Sequence, residues 1–378
     1  MAARVRHRER WAVSALFFTN GALFASLLPR LPEIKSSLDL SAGQLGLALL
    51  GIGLGGLIGS LATRRLLPKA RSRWAAVGST VVLAAGLPLV GLAPSGGVLF
   101  AILVAYGVAD AVTDVSMNVA GVEVQRRLGR TVLNSMHGIW SIAAVVGGVT
   151  GSGAAALGLS LVVHLGMVAA VCALVGLLAA PWVPSVSGEG ARNPGAAPAR
   201  FSPALVLLCA LAVLAALVEA APYSWSAVYL AEQTGADPGT AGLGFTAFVT
   251  GMVMVRLVGD KLVDRWGPVL VVRVGGLAGA VALVSALLLG GTAAGIVAFA
   301  VMGLGSAAVF PAMITAAGAL PGQAVQAMNM ATRVGFLAAP PLVGLVADGV
   351  GLTLALGVLI VPAALGLAIF AGAVATAR

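Results

Sequence analysis

The chain has 378 residues, of which 60% are hydrophobic and only 9% charged, with a mean hydropathy of +1.04; soluble domains carry roughly 25% charged residues. That composition excludes an ordinary soluble domain and describes a polytopic membrane protein. The net charge of +9 forms no basic stripe of the kind a nucleic-acid-binding fold needs, and Cys172 and Cys209, both inside apolar runs, offer neither a disulfide framework nor metal-ligand spacing. No metal, cofactor or nucleic-acid partner is expected.

From the N-terminus, MAARVRHRER precedes an apolar run from Trp11 to Leu28 that is long and lacks a small-residue cleavage site, so it reads as a retained first membrane helix and not a signal peptide. Scanning for apolar stretches of about 20 residues gives twelve, near 11–31, 42–63, 74–93, 97–122, 133–156, 160–183, 203–228, 240–260, 268–290, 293–318, 325–347 and 351–375. The expected fold is all-α. PSVSGEGARNPGAAPARFSP, from Pro184 to Pro203, is a flexible linker by composition. It separates an N-terminal six-helix bundle (1–183) from a C-terminal one (203–378), with 184–202 between them. Arg4, Arg6, Arg8, Arg10, the Arg64–Arg73 loop, Arg126, Arg127, Arg130, Arg192, Arg200 and the basic residues from Arg256 to Arg273 fall on one side if the helices alternate; Arg30 and Lys35 fall on the other. This bias predicts cytoplasmic termini in a cell (inner) membrane.

The fourth apolar segment carries Asp110, Asp114 and Asn118 at spacings of four, which puts them on one face of a helix. A carboxylate facing lipid is costly, so this face looks onto protein or a water-filled cavity. The face is either a proton or substrate site or a polar stripe that holds helices together. Gly51, Gly55 and Gly59, like Gly147 and Gly151, have the spacing that lets helix backbones approach. GIGLGG in the second segment fits a dinucleotide pattern in letters alone, since no strand precedes it. Pro340 and Pro341 each remove a backbone donor and are expected to bend or loosen the eleventh helix.

The halves look related. Gly59, Arg65 and Arg73 recur as Gly259, Arg265 and Arg273, and YGVADAVTDVSM from Tyr106 resembles MGLGSAAVFPAM from Met302. Such order indicates a duplicated six-helix unit, as transporters built from repeats show. GDKLVDRWGPVLVVR, Gly259 to Arg273, closely resembles the loop signature of the major facilitator superfamily; at the corresponding place in the first half, Thr63 and Arg64 stand where that family has an acid. The resemblance implies gating by Asp260, Asp264 and Arg265, whose charges can pair near a helix end and hold one access state shut. Asp114 and Asn118 in DVSMN look like the acid-x-x-x-Asn element of the family's fucose:proton symporter branch, and GVEV and NSMHGIWS resemble that branch's bacterial relatives. This implies proton coupling at Asp114. The branch also uses an acid in helix 1, where this chain offers Thr19 and Asn20.

In that family helices 1, 4, 7 and 10 line the central cavity, which places Glu219, in ALVEAAPYSWSAVYL, opposite the helix 4 acids. Tyr223, Trp225 and Tyr229 follow it as interfacial anchors or substrate contacts. Arg333 in helix 11 either pairs with Asp114 or snorkels to the interface; His137 is a proton relay or a structural residue, and His164 has a weaker case. The expected function is secondary active transport of a small solute, coupled to protons through Asp114 with Asp110 and Glu219 supporting. Asn20, Asn118, Glu219 and Trp225 would bind the solute, and Asp260, Asp264, Arg265, Arg333 and His137 would gate. Uptake of a polar solute such as a sugar is favoured over proton-antiport efflux of drugs or metabolites, and a non-transporting sensor or scaffold of the same fold is the third reading. No nucleophile–base constellation suggests an enzyme. The expected partners are the solute, protons and the bilayer, with the chain acting as a monomer.

Overall fold

The computed structural model describes the backbone of residues 2–66, 72–185 and 202–375, and side chains from His7 onward within these ranges except at 64–66, 72 and 260. Among them there is no strand, and twelve helices are long and apolar enough to cross a membrane. They are α1 (His7–Ser37), α2 (Ala42–Thr63), α3 (Arg73–Leu92), α4 (Gly96–Leu128), α5 (Leu133–Ala156), α6 (Leu161–Trp182), α7 (Pro203–Thr234), α8 (Pro238–Gly259), α9 (Lys261–Leu289), α10 (Thr292–Gly318), α11 (Ala324–Val350) and α12 (Leu352–Ala375). The chain is a multi-pass, all-α membrane protein, as its apolar runs predict, because a helix alone satisfies every backbone polar group within one segment in lipid.

Local chemistry sets the helix ends. Ser95, Ser160 and Ser202 accept backbone N–H bonds at the starts of α4, α6 and α7, and Pro203 and Pro238 stand in first turns where no N–H is needed. The Asp237 carboxylate accepts from the N–H groups of Gly239 and Thr240 at 3.0 and 3.1 Å. GDKLVDR is not an irregular loop. Helix continues from α8 through it until Gly267, whose φ of 77° and ψ of 155° are non-helical. The first backbone breaker after α8 is this Gly267–Pro268 pair, so the charged residues remain helical. α11 is likewise an unbroken helix through Pro340 and Pro341.

The chain forms two compact units, Met1–Ile34 with Ala48–Arg192, and Lys35–Leu47 with Asn193–Arg378. In the first, the core includes Val13, Leu16 and Phe17 of α1, Val77 of α3, Met117 and Val124 of α4 and Met136 of α5. Glycines allow the tightest approaches. A side chain at Gly55 would strike the Val104 carbonyl, and one at Gly107 the Ile52 carbonyl, where α2 crosses α4. In the second unit Gly251 meets the Ala300 carbonyl and Gly303 the Phe248 carbonyl, where α8 crosses α10. Each member lies 196 positions after its counterpart (55 to 251, 104 to 300, 107 to 303, 52 to 248). Two arginines 200 positions apart play similar parts in the two units. Arg73 Nε donates to the Val183 carbonyl at 2.7 Å beyond the end of α6, and Arg273 Nε donates to the Ala368 carbonyl at 3.2 Å near the end of α12.

Candidate functional site

In the first unit the polar face of α4 meets α1 and α5. Asn20 of α1, only 4% exposed, donates from Nδ2 to Asp110 Oδ1 at 2.7 Å. Its Oδ1 accepts from Trp140 Nε1 of α5 at 2.8 Å. One amide therefore faces an indole donor on one side and a carboxylate on the other, and the two bonds fix its orientation. Tyr106, one turn before Asp110, is buried with its hydroxyl unpaired, close enough to interact with that carboxylate electrostatically.

One turn further along α4 the arrangement repeats. Asn118 Nδ2 lies 3.1 Å from Asp114 Oδ1, and Asn118 Oδ1 lies 3.2 Å from His137 Nε2 of α5. An amide that presents its NH2 group to Asp114 offers the ring an acceptor, so His137 donates from Nε2. The Phe17 ring stands edge-on to the imidazole at 5.0 Å. Asp114 and His137 are exposed, whereas Asp110 is half-buried. Each of the two aspartates on α4 is thus joined through an asparagine to a ring N–H on α5. Such a chain can hold a proton or exchange its bonds for those of a polar solute.

Sequence reasoning named Asn20, Asp110, Asp114, Asn118 and His137; the structure brings the first two together and the last three together. It missed Trp140. An indole in an apolar helix does not say which helix it meets, and the partner amide lies 120 positions away. Further along α4, buried Glu123 receives Arg126 Nη2 at 2.8 Å and Arg127 Nε at 2.6 Å, and Arg127 Nη1 reaches Glu9 of α1 at 2.6 Å. In the sequence these arginines are topology signals alone.

In the second unit Glu219 of α7 is 6% exposed. Its Oε1 lies 4.0 Å from Arg256 Nη2 of α8, and its Oε2 has no hydrogen-bond partner. Tyr223, one turn on, packs against Phe245 and Phe248 of α8. Trp225 is fully buried, with its Nε1 unpaired, beside the close approach at Gly344 of α11. Tyr229 packs edge-on against Phe299 of α10. Arg333 is exposed on α11, Asp264 and Arg265 are exposed in the first turns of α9, and the Asp260 side chain lies outside the described residues. His164 of α6 is buried with neither ring nitrogen bonded. The second unit also holds polar bonds that the sequence reading did not foresee. Lys35 Nζ meets Glu232 Oε1 at 2.7 Å; Asp348 accepts from Ser41 Oγ at 2.8 Å and from the Gly43 N–H at 3.0 Å. Among the described residues no group of His, Cys, Asp and Glu could hold a metal ion.

A family model described as Major Facilitator Superfamily matches residues 207–377. An uncharacterised MFS-type transporter of Yersinia pestis is 31% identical over 351 residues, spanning 90% of this chain and 89% of that protein. Among solved structures, a variant of the nucleoside transporter NupG superposes with a TM-score of 0.79 at 13% identity, over 97% of this chain and 99% of that one. The E. coli fucose:proton symporter FucP superposes with a TM-score of 0.62 at 16% identity, over 96% and 97%. At those identities the two structures are alike in fold.

Proposed function

The chain belongs to the major facilitator superfamily, and from that premise we propose that this solute transporter is driven by protons, with Asp114 as the exchanging carboxyl and Asp110 and Glu219 in support. Its relatives and fold are those of transporters, which are not enzymes. The observation that carries the reading is the pair of asparagine-linked chains on α4, Trp140–Asn20–Asp110 and His137–Asn118–Asp114. Asp114 is accessible, so it can take a proton from water and pass it on, and Asn118 and His137 supply the groups that respond to its charge. Asn20 and Asn118 offer donors and acceptors to a polar solute. The fold neighbours named for nucleosides and fucose carry solutes of that polar kind, which favours uptake of a hydroxylated solute. Both termini face the cytoplasm of a cell membrane in this reading, following the basic loops.

The test is proton movement in proteoliposomes with an internal pH-sensitive dye, adding panels of sugars, nucleosides, sugar acids and cationic drugs. Solute-induced proton flux that disappears in Asp114→Asn supports the reading, and its direction separates symport from antiport. Solute flux without proton flux removes Asp114 from coupling and leaves it to bind the solute.

A further inference from the structure

The first unit holds a cavity apart from the polar face of α4. Its volume is about 490 Å³, and its wall is built by α1, α5 and α6, with Ala22 and Ser26, Thr150 and Gly153, and His164 and Met167 among its residues. That volume is within the range of roughly 300–1,000 Å³ usual for ligand pockets. The cavity opens on the bilayer. Val163, Met167, Val171, Leu174 and Leu178 recur every three or four residues as an exposed face of α6, and α6 has no Asp, Glu, Lys or Arg, so hydrocarbon covers that face. Met167 and Val171 belong to both the face and the cavity wall.

The hydroxyls in this wall are spent on their own helices. Ser26 Oγ donates to the Ala22 carbonyl at 2.7 Å, and Thr150 Oγ1 to the Val146 carbonyl at 2.8 Å. His164 differs, being 3% exposed with neither ring nitrogen bonded, although an imidazole always carries at least one N–H donor. Arg30 of α1 is close enough to act on that ring electrostatically. It is 2% exposed and donates from Nη2 to the carbonyl of Leu159, another wall residue, at 2.7 Å, while its Nη1 is buried and unpaired. Two buried donors at the α5–α6 end of the cavity therefore call for an acceptor oxygen. A water there meets these donors and leaves the apolar length of the cavity empty, forfeiting its dispersion contacts.

Depth identifies the acceptor. The 22 residues of α6 span about 33 Å against a hydrocarbon core of about 30 Å, and His164 is in the first turn after Leu161. It therefore stands where hydrocarbon gives way to headgroups, the level of a phospholipid's ester carbonyls. We propose that the cavity is a binding site for a bilayer phospholipid, with one acyl chain filling it, the ester carbonyl of that chain accepting from His164, and Arg30 serving as a second donor to the same end of the lipid. The proposal goes beyond the transport reading and does not rest on proton coupling. Because α1 forms the wall at Ala22 and Ser26 and also carries Asn20, a bound lipid braces the helix on which Asn20 stands.

The experiment is native mass spectrometry and thermal unfolding of the purified, delipidated full chain titrated with dioleoyl phosphatidylglycerol and with its dioleyl diether analogue, which has the same headgroup and chains but no carbonyl. The expected result is a single ester lipid held roughly three- to tenfold more tightly than the diether, the worth of one hydrogen bond, with a matching rise in unfolding temperature. His164→Phe should hold both lipids alike, and His164→Asn, which keeps a donor, should retain part of the preference. Gly153 is on the wall and a Cβ built there meets nothing within 4 Å, so Gly153→Leu places its side chain in the open cavity with the fold intact. That variant should be stable without lipid and should lose the tightly held one. Equal affinity for ester and diether lipids, a preference that survives His164→Phe, a tight lipid retained by Gly153→Leu, or tighter binding of free oleic acid than of the ester lipid overturns the proposal.

Discussion

Asn20 is the side chain on which the polar centre of the first unit depends. Because its two amide atoms serve different helices, Asn20→Ala leaves the Asp110 carboxylate and the Trp140 indole without partners at once. Both groups are half-buried, so stranding each costs at most about 1–3 kcal/mol, the cost for a fully buried group, and this variant should lose a few degrees of thermal stability and most of its transport. Trp140→Phe keeps the ring volume and removes one bond. Its stability loss should be nearer 1 kcal/mol, with solute affinity reduced more than turnover, and a melting curve beside initial uptake rates separates the two. The acids and amides of this centre are legible in the sequence because polar side chains stand out against an apolar background. Their pairing is not, since Asn20 and Asp110 lie 90 positions apart and α1 carries nothing at that depth to say which helix its amide meets.

At the scale of helices, packing follows the duplication. Gly107 and Gly303 each sit against a carbonyl of the second helix of their unit, and a side chain there must push two backbones apart. Gly107→Val and Gly303→Val should each destabilise the protein by about 1–3 kcal/mol, and the two penalties should add because the sites belong to different units; thermal unfolding of the singles and the double checks this. Exposed Asp237 gives a pH dependence of known sign. The bond with Thr240 holds its carboxyl below the ordinary carboxylate value. A depressed folded-state pKa means that the cap's stabilisation is complete above the unfolded value, about 4, and is lost as pH falls through the folded one. Replacing Asp237 with Asn should flatten stability over that acidic window and change little at neutral pH. Helix existence was readable from runs of about 20 apolar residues. The helical course of GDKLVDR was not, because charged residues suggest a loop although nothing in their backbone preference stops a helix before Gly267.

For the whole molecule, the basic residues predict where the termini lie. Fusing alkaline phosphatase, active only outside the cytoplasm, or green fluorescent protein, fluorescent inside it, after Ala375 should give fluorescence and no phosphatase activity; the opposite result would invert the orientation of every helix. The sequence by itself determined the membrane class, the twelve helices, the duplication and the identity of the chemically unusual side chains. These rest on composition and local periodicity, and lipid leaves a long apolar segment one stable form. Only the tertiary structure decided that Asn20 bridges Asp110 and Trp140, that Arg256 stands opposite Glu219, that Arg73 and Arg273 close equivalent helix ends, and that Lys35–Leu47 joins the second unit. Those partners come from different helices, and which faces meet is set by glycine-tight packing over the whole bundle, a property no single stretch of chain contains.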